Sequence, residues 1–152
     1  MATTPVTTDE ITVLQGALAA EYAAIYGYGV VGAYLTGSDQ GDAMSDWRLH
    51  QDARDTLTGM ISKLGVTPVA ASAAYDLPFT VDSATSARRL AVIIEQGVTR
   101  AYLGVVAAGN VKVRTFGALA MQAPANRAIA WGASPAAFPG MTADPAATAT
   151  DR

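Results

Sequence analysis

Apolar residues recur along most of the chain at alternating three- and four-residue intervals, the period of helices that bury one face. The clearest stripe holds Ile11, Leu14, Leu18, Glu21, Ile25, Tyr28, Gly32 and Leu35. It opens with Thr7-Thr8-Asp9-Glu10, a capping box in which the Thr7 hydroxyl and the Glu10 carboxylate each satisfy an orphan amide of the first turn. A second stripe, Trp47, His50, Arg54, Leu57, Ile61 and Leu64, predicts a helix from about Asp42 to Leu64. The third stripe, Ala91, Glu95, Val98, Tyr102 and Val105 with Leu90 and Ile94 beside it, predicts a helix starting near Asp82-Ser83, either of which can cap it. A fourth helix is expected from roughly Val111 to Trp131, interrupted at Pro124, which has no amide to donate.

Breaks fall at Thr36 to Gly41, Gly65 to Asp82 and Gly109-Asn110, so the connections read short, long and short. The long one carries Pro68 and Pro78 and no helical period. One long crossover between helices 2 and 3, joining two helix hairpins, is the mark of a ferritin-like four-helix bundle rather than a plain up-and-down one. The bundle is expected over residues 7–140, with an irregular tail over 141–152 in a region rich in Pro and Ala from Ser134 onward.

Composition agrees with an all-α chain. Alanine, the strongest helix former, supplies roughly a fifth of the residues, and no run alternates in the manner of a strand. With 51% hydrophobic and 15% charged residues the chain is far from disordered composition. The net charge of −3 and the scattering of the ten Lys and Arg residues speak against nucleic acid and against a polybasic membrane surface. The longest uncharged run, Tyr22 to Ser38, falls short of a membrane span and is broken by glycines. There is no cysteine, and the start Met1-Ala2-Thr3-Thr4-Pro5 lacks the basic and apolar regions of a secretory signal, so a cytoplasmic location is expected.

Only three glutamates occur; one is in the capping box, and Glu21 and Glu95 both fall inside apolar stripes. The single histidine, His50, lies in the second stripe. Ionised carboxylates in a core are costly unless paired, hydrogen-bonded or bound to metal. Candidate partners are His50, Arg54, Arg127 and the tyrosines Tyr22, Tyr26, Tyr28 and Tyr102. In one reading Glu21, His50 and Glu95 hold one iron, manganese or zinc ion as a metal-binding protein or redox enzyme. In the other, Arg54 and Arg127 supply permanent cations and make a metal-free polar network of Glu21, His50, Arg54, Glu95 and Arg127. A two-metal site would need Glu-x-x-His twice, yet Trp47 stands three before His50, and helix 4 has no Asp, Glu or His. Tyr22, Tyr26, Tyr28, Trp47 and Tyr102 form a packing or ligand face.

Gly27-Tyr28-Gly29-Val30-Val31-Gly32 matches the dinucleotide fingerprint, but helix rather than strand precedes it, so small residues for close helix packing explain it better. No nucleophile turn accompanies His50 and Asp46 or Asp52, and no methionine is fixed as a haem ligand beside His50. Arg88, Arg89, Arg100, Lys112 and Arg114 read as a solvated face.

The segment from Leu14 to Gly29, the His50 to Asp55 stretch, Tyr75-Asp76-Leu77-Pro78-Phe79 and Phe138-Pro139-Gly140 resemble an actinobacterial ferritin-like family of unknown function, over Thr7 to about Gly140. The resemblance implies a ferritin-like bundle with Glu21, His50 and Glu95 as polar core positions, and no activity to carry over. Trp47 and the whole of helix 4 depart from metal-binding ferritins, which argues against iron storage and oxygen activation. The expectation is a structural or interaction module with no cofactor, its metal site degenerate. A homodimer through helix faces and an unidentified protein partner are the associations it suggests.

Overall fold

The computed structural model describes residues 5–141, which form helices and no strand. Helix α1 spans Thr8–Ala33, α2 Gly37–Lys63, α3 Ala84–Val106, α4 Val111–Ala120 and α5 Gln122–Ala130. The capping box at Thr7 and Glu10 forms as expected. Ser83 rather than Asp82 caps α3, in a second reciprocal pair with Ser86.

Two boundaries differ from the sequence reading. Helix α2 begins at Gly37 rather than near Asp42. Residues that read as a loop fit a helix start: Gly37 takes a φ of 61° at the turn, and Asp39 in the first turn faces the positive end of the helix dipole. The fourth helix breaks at Met121, before Pro124. The proline ring clashes with the carbonyl four residues earlier and donates nothing to it. That carbonyl belongs to Ala120, so α4 stops there and Pro124 sits in the first turn of α5, where no amide is needed.

Helix directions follow from side-chain pairs. Tyr28 meets Glu95 while Glu21 meets Tyr102, so α1 and α3 run antiparallel. The three-residue link from Tyr34 to Thr36 makes α1 and α2 antiparallel as well. Glu95 meets Arg127 while Val105 lies against Gly117, which sets α4 and α5 antiparallel to α3. The order is up, down, down, up, so the connection between α2 and α3 must return along the whole bundle.

It does so beside α1. Leaving α2 through Gly65 at φ 75°, with Val66 and Gly65 amides donating to Ile61 and Ser62 carbonyls, it passes a Gln15 clamp on Thr67 and Val69. Further on Tyr75 lies against Tyr26, with ring centroids 5.5 Å apart, and Leu77 and Phe79 pack on the top of the bundle.

Burial refines the predicted stripes. On α1 the buried set is Glu10, Leu14, Ala17, Leu18, Glu21, Ala24, Gly27, Tyr28 and Val31, while Ile11, Ile25 and Gly32 are only half-buried. This helix packs on both α2 and α3, so its buried face is wide and centred one position from the predicted line. On α2 Leu64 is exposed; on α3 Leu90, Ala91, Glu95, Val98, Tyr102 and Val105 are buried and Ile94 is half-buried. Two apolar clusters result, one around Leu14, Leu18, Leu57, Ile61 and Val105, the other around Tyr28, Val31, Leu35, Leu90 and Ala91. No helix among the described residues is long and apolar enough to cross a membrane. The expected tail lies outside the described residues apart from Met141; residues 132–140 before it are irregular.

Candidate polar core site

Between the two apolar clusters lies one charged layer. Helix α1 contributes Glu21, α2 contributes His50 and α3 contributes Glu95; all three are buried. Their stripes meet because three helices converge at the same height, halfway along each. His50 donates from Nδ1 to Glu21 Oε2 at 2.6 Å and from Nε2 to Glu95 Oε1 at 3.2 Å. Both acceptors are carboxylates, so the ring carries two protons and is cationic. Burial opposes that charge, but the hydrogen bonds to Glu21 and Glu95 overcome it and push the His50 pKa up to about 9.

Each glutamate has a tyrosine. Tyr102 donates its hydroxyl to Glu21 Oε1 at 2.7 Å, and Tyr28 donates to Glu95 Oε1 at 2.6 Å. Burial, and then the adjacent carboxylates, raise both phenol pKa values, so they remain donors. Arg127 of α5 donates from Nε to Glu95 Oε1 at 2.8 Å. Against the cost of burial, the hydrogen bonds from His50 and Arg127 hold the Glu95 carboxyl below its usual range. Glu95 Oε1 thus collects three donors, while Oε2 is buried with no hydrogen-bond partner.

Outward from Glu95 the layer continues to Asp46 of α2. Its Oδ2 accepts from the indole of Trp131 at 2.9 Å, and its Oδ1 lies 3.9 Å from Arg127 Nε. Burial raises the Asp46 pKa against the opposing pull of Trp131 and Arg127. Neither Asp46 nor Trp131 belongs to the polar set expected from the stripes. The available signal was that Asp46 precedes His50 by four and so shares its face.

Arg54 does not join the layer, contrary to the expectation for its stripe. Its side chain is 29% exposed and its Nε pairs with Asp55 at 2.8 Å on the surface of α2. Arg54 lies at the edge of the α2 stripe, whose later members Leu57 and Ile61 are fully buried, and a long side chain at that edge gains solvent by turning outward. Of the aromatic face, Tyr28 and Tyr102 enter the layer, Tyr22 packs half-buried on the first cluster and Trp47 on the second. Tyr26 is exposed beneath Tyr75. Of the glycine run only Gly27 sits at a close approach, where a Cβ would meet Ile94 Cδ1 at 2.5 Å; Gly29 and Gly32 face open space.

Among the described residues no group of three or more His, Cys, Asp or Glu side chains is placed to hold a metal ion. In this arrangement the two imidazole nitrogens point in divergent directions, each at a different glutamate.

Comparison with known proteins agrees with this architecture. A crystal structure of a conserved hypothetical protein, rv2844, from Mycobacterium tuberculosis is similar at a TM-score of 0.78 and 36% identity, covering 82% of this chain and 95% of that one. No curated protein matches. A family model described as a domain of unknown function, DUF4439, matches residues 13–143, and the chain belongs to that family.

Proposed function

We propose that this chain is a ferritin-like bundle serving as a structural or interaction module, in which a metal-free Glu-His-Glu-Arg network occupies the place a metal centre would take. The up-down-down-up order with its long crossover supports the ferritin-like assignment. The observation that carries the metal-free reading is the single imidazole bridging Glu21 and Glu95 through opposite nitrogens. Arg127 supplies a second, permanent cation against Glu95. Such a layer fixes helix register, because sliding any helix by a turn separates every charged pair at once.

One observation favours a competing reading, in which Glu21, His50 and Glu95 hold one iron, manganese or zinc ion: the buried Oε2 of Glu95 has no partner. Adopting it would require His50 to release one glutamate. The deciding experiment is metal content per chain by mass spectrometry, on protein purified without oxygen and then offered each metal. The network reading expects substoichiometric metal, unchanged by His50→Ala. One equivalent that disappears in His50→Ala would overturn it.

A further inference from the structure

The charged layer reaches the surface at a cleft of about 340 Å³ between α2 and α5. These two helices face each other without close packing, whereas α1 packs on α2 and α3, and α3 on α4 and α5. Across the cleft mouth Arg88 pairs with Asp39 through Nε, at 2.8 Å, and Nη2. On its walls are Asp46 from α2 and Arg127 from α5, with the Trp131 indole holding one Asp46 oxygen.

Two groups there are incompletely used. Arg127 spends only Nε, on Glu95; neither Nη makes a hydrogen bond, leaving four N–H donors on a planar fork. The Oδ1 of Asp46 accepts no hydrogen bond, its nearest cation atom being Arg127 Nε at 3.9 Å. Both side chains are mostly buried, at 16% and 14% exposure. An unused anion-binding fork and a carboxylate oxygen engaged only by its long ion pair to Arg127 Nε therefore share one small cleft, presented from two helices. Free ions would have to fill both places separately. A single molecule with an ammonium and a carboxylate on neighbouring atoms fills both together.

We propose that this cleft binds a free α-amino acid, its carboxylate on the Arg127 Nη fork and its ammonium on Asp46 Oδ1, with Asp42 at the rim adding negative potential on the ammonium side. The bidentate geometry of guanidinium and carboxylate fixes the orientation, and the side chain projects toward the mouth. The volume suits one amino acid and not a peptide of several residues. The inference does not depend on the absence of metal from the core.

The test is ligand-observed NMR and calorimetry on the full chain, using each proteinogenic L-amino acid as probe at up to about 10 mM. Saturable binding by at least one is expected. Its N-acetyl derivative and its amide should each bind about tenfold or more weaker, since each deletes one charge-assisted contact. Two variants locate the site. Asp46→Asn should weaken binding, and Ala130→Phe, which fills the cleft from an exposed position without touching the layer, should abolish it at unchanged melting temperature. Absence of binding by every amino acid overturns the proposal, as does binding indifferent to both variants or to loss of either charged group.

Discussion

Two layers of the same core are built on opposite principles. Around Leu14, Leu18, Leu57, Ile61 and Val105 the bundle is held by apolar contact alone, whereas one layer further along, Glu21, His50, Glu95 and Arg127 are held by directed hydrogen bonds. Apolar burial is roughly proportional to area and indifferent to direction, so that layer accepts any side chains that fill the volume. The charged layer contributes little net stability relative to an apolar one of equal shape, yet loses heavily when any member is left alone. The first layer makes a compact bundle; the second selects the register in which it packs.

The largest test of that contrast is Glu95→Ala. It strands Arg127, His50 and Tyr28, and should cost about 3–5 kcal/mol in urea unfolding. A cost below about 1 kcal/mol would show that the layer relaxes as easily as an apolar one. Next, Leu57→Ala should cost about 2–5 kcal/mol, but Leu57→Met less than about 1.5 kcal/mol, because volume is conserved. No equally mild substitution is expected for His50.

A smaller effect is the response to pH. His50 has its pKa raised from 6.5 to about 9 in the fold. The stability it contributes is therefore complete below pH 6.5 and is lost as pH rises through about 9, at no more than about 1.4 kcal/mol per pH unit. For Glu95, whose pKa is lowered, the sign is reversed: its contribution is present above its ordinary value of 4.5 and is lost as acid protonates it. Denaturant melts at closely spaced pH values would reveal a plateau with two falling edges. A level profile from pH 6.5 to 9.5 would contradict a cationic His50.

The smallest expected effect is that of Arg54→Ala. With a half-exposed surface pair to Asp55 its removal should change stability by less than about 0.5 kcal/mol. A loss comparable to that of Glu95→Ala would return Arg54 to the core. The contrast between Arg54 and Arg127 thus checks the corrected membership of the layer directly.

Much of the fold is legible in the chain. The spacing of Leu14, Leu18, Glu21 and Tyr28, the box at Thr7 and Glu10, and the proline-bearing stretch after Gly65 lead to helices in sequence with one long return. These are local properties, set by period, capping and punctuation. The same spacing placed Glu21, His50 and Glu95 inside, because a buried face is a property of one helix. Which cation met them was not local. Arg54 and Arg127 are equivalent as residue types, and both were candidates for the core; the edge position of Arg54 on the α2 stripe and the restart of α5 before Pro124 decided between them.

What the sequence by itself determined is the set of helices, their buried faces and the three ionisable residues committed to the core. Only the tertiary structure decided that His50 divides its two nitrogens between Glu21 and Glu95, that Asp46 and Trp131 extend the layer, and that α2 and α5 leave it open to solvent. The physical reason is range. Helical period and capping act within a turn or two of the chain, whereas a hydrogen bond between Glu21 and Tyr102 joins residues 81 positions apart and depends on the angle and height at which whole helices meet.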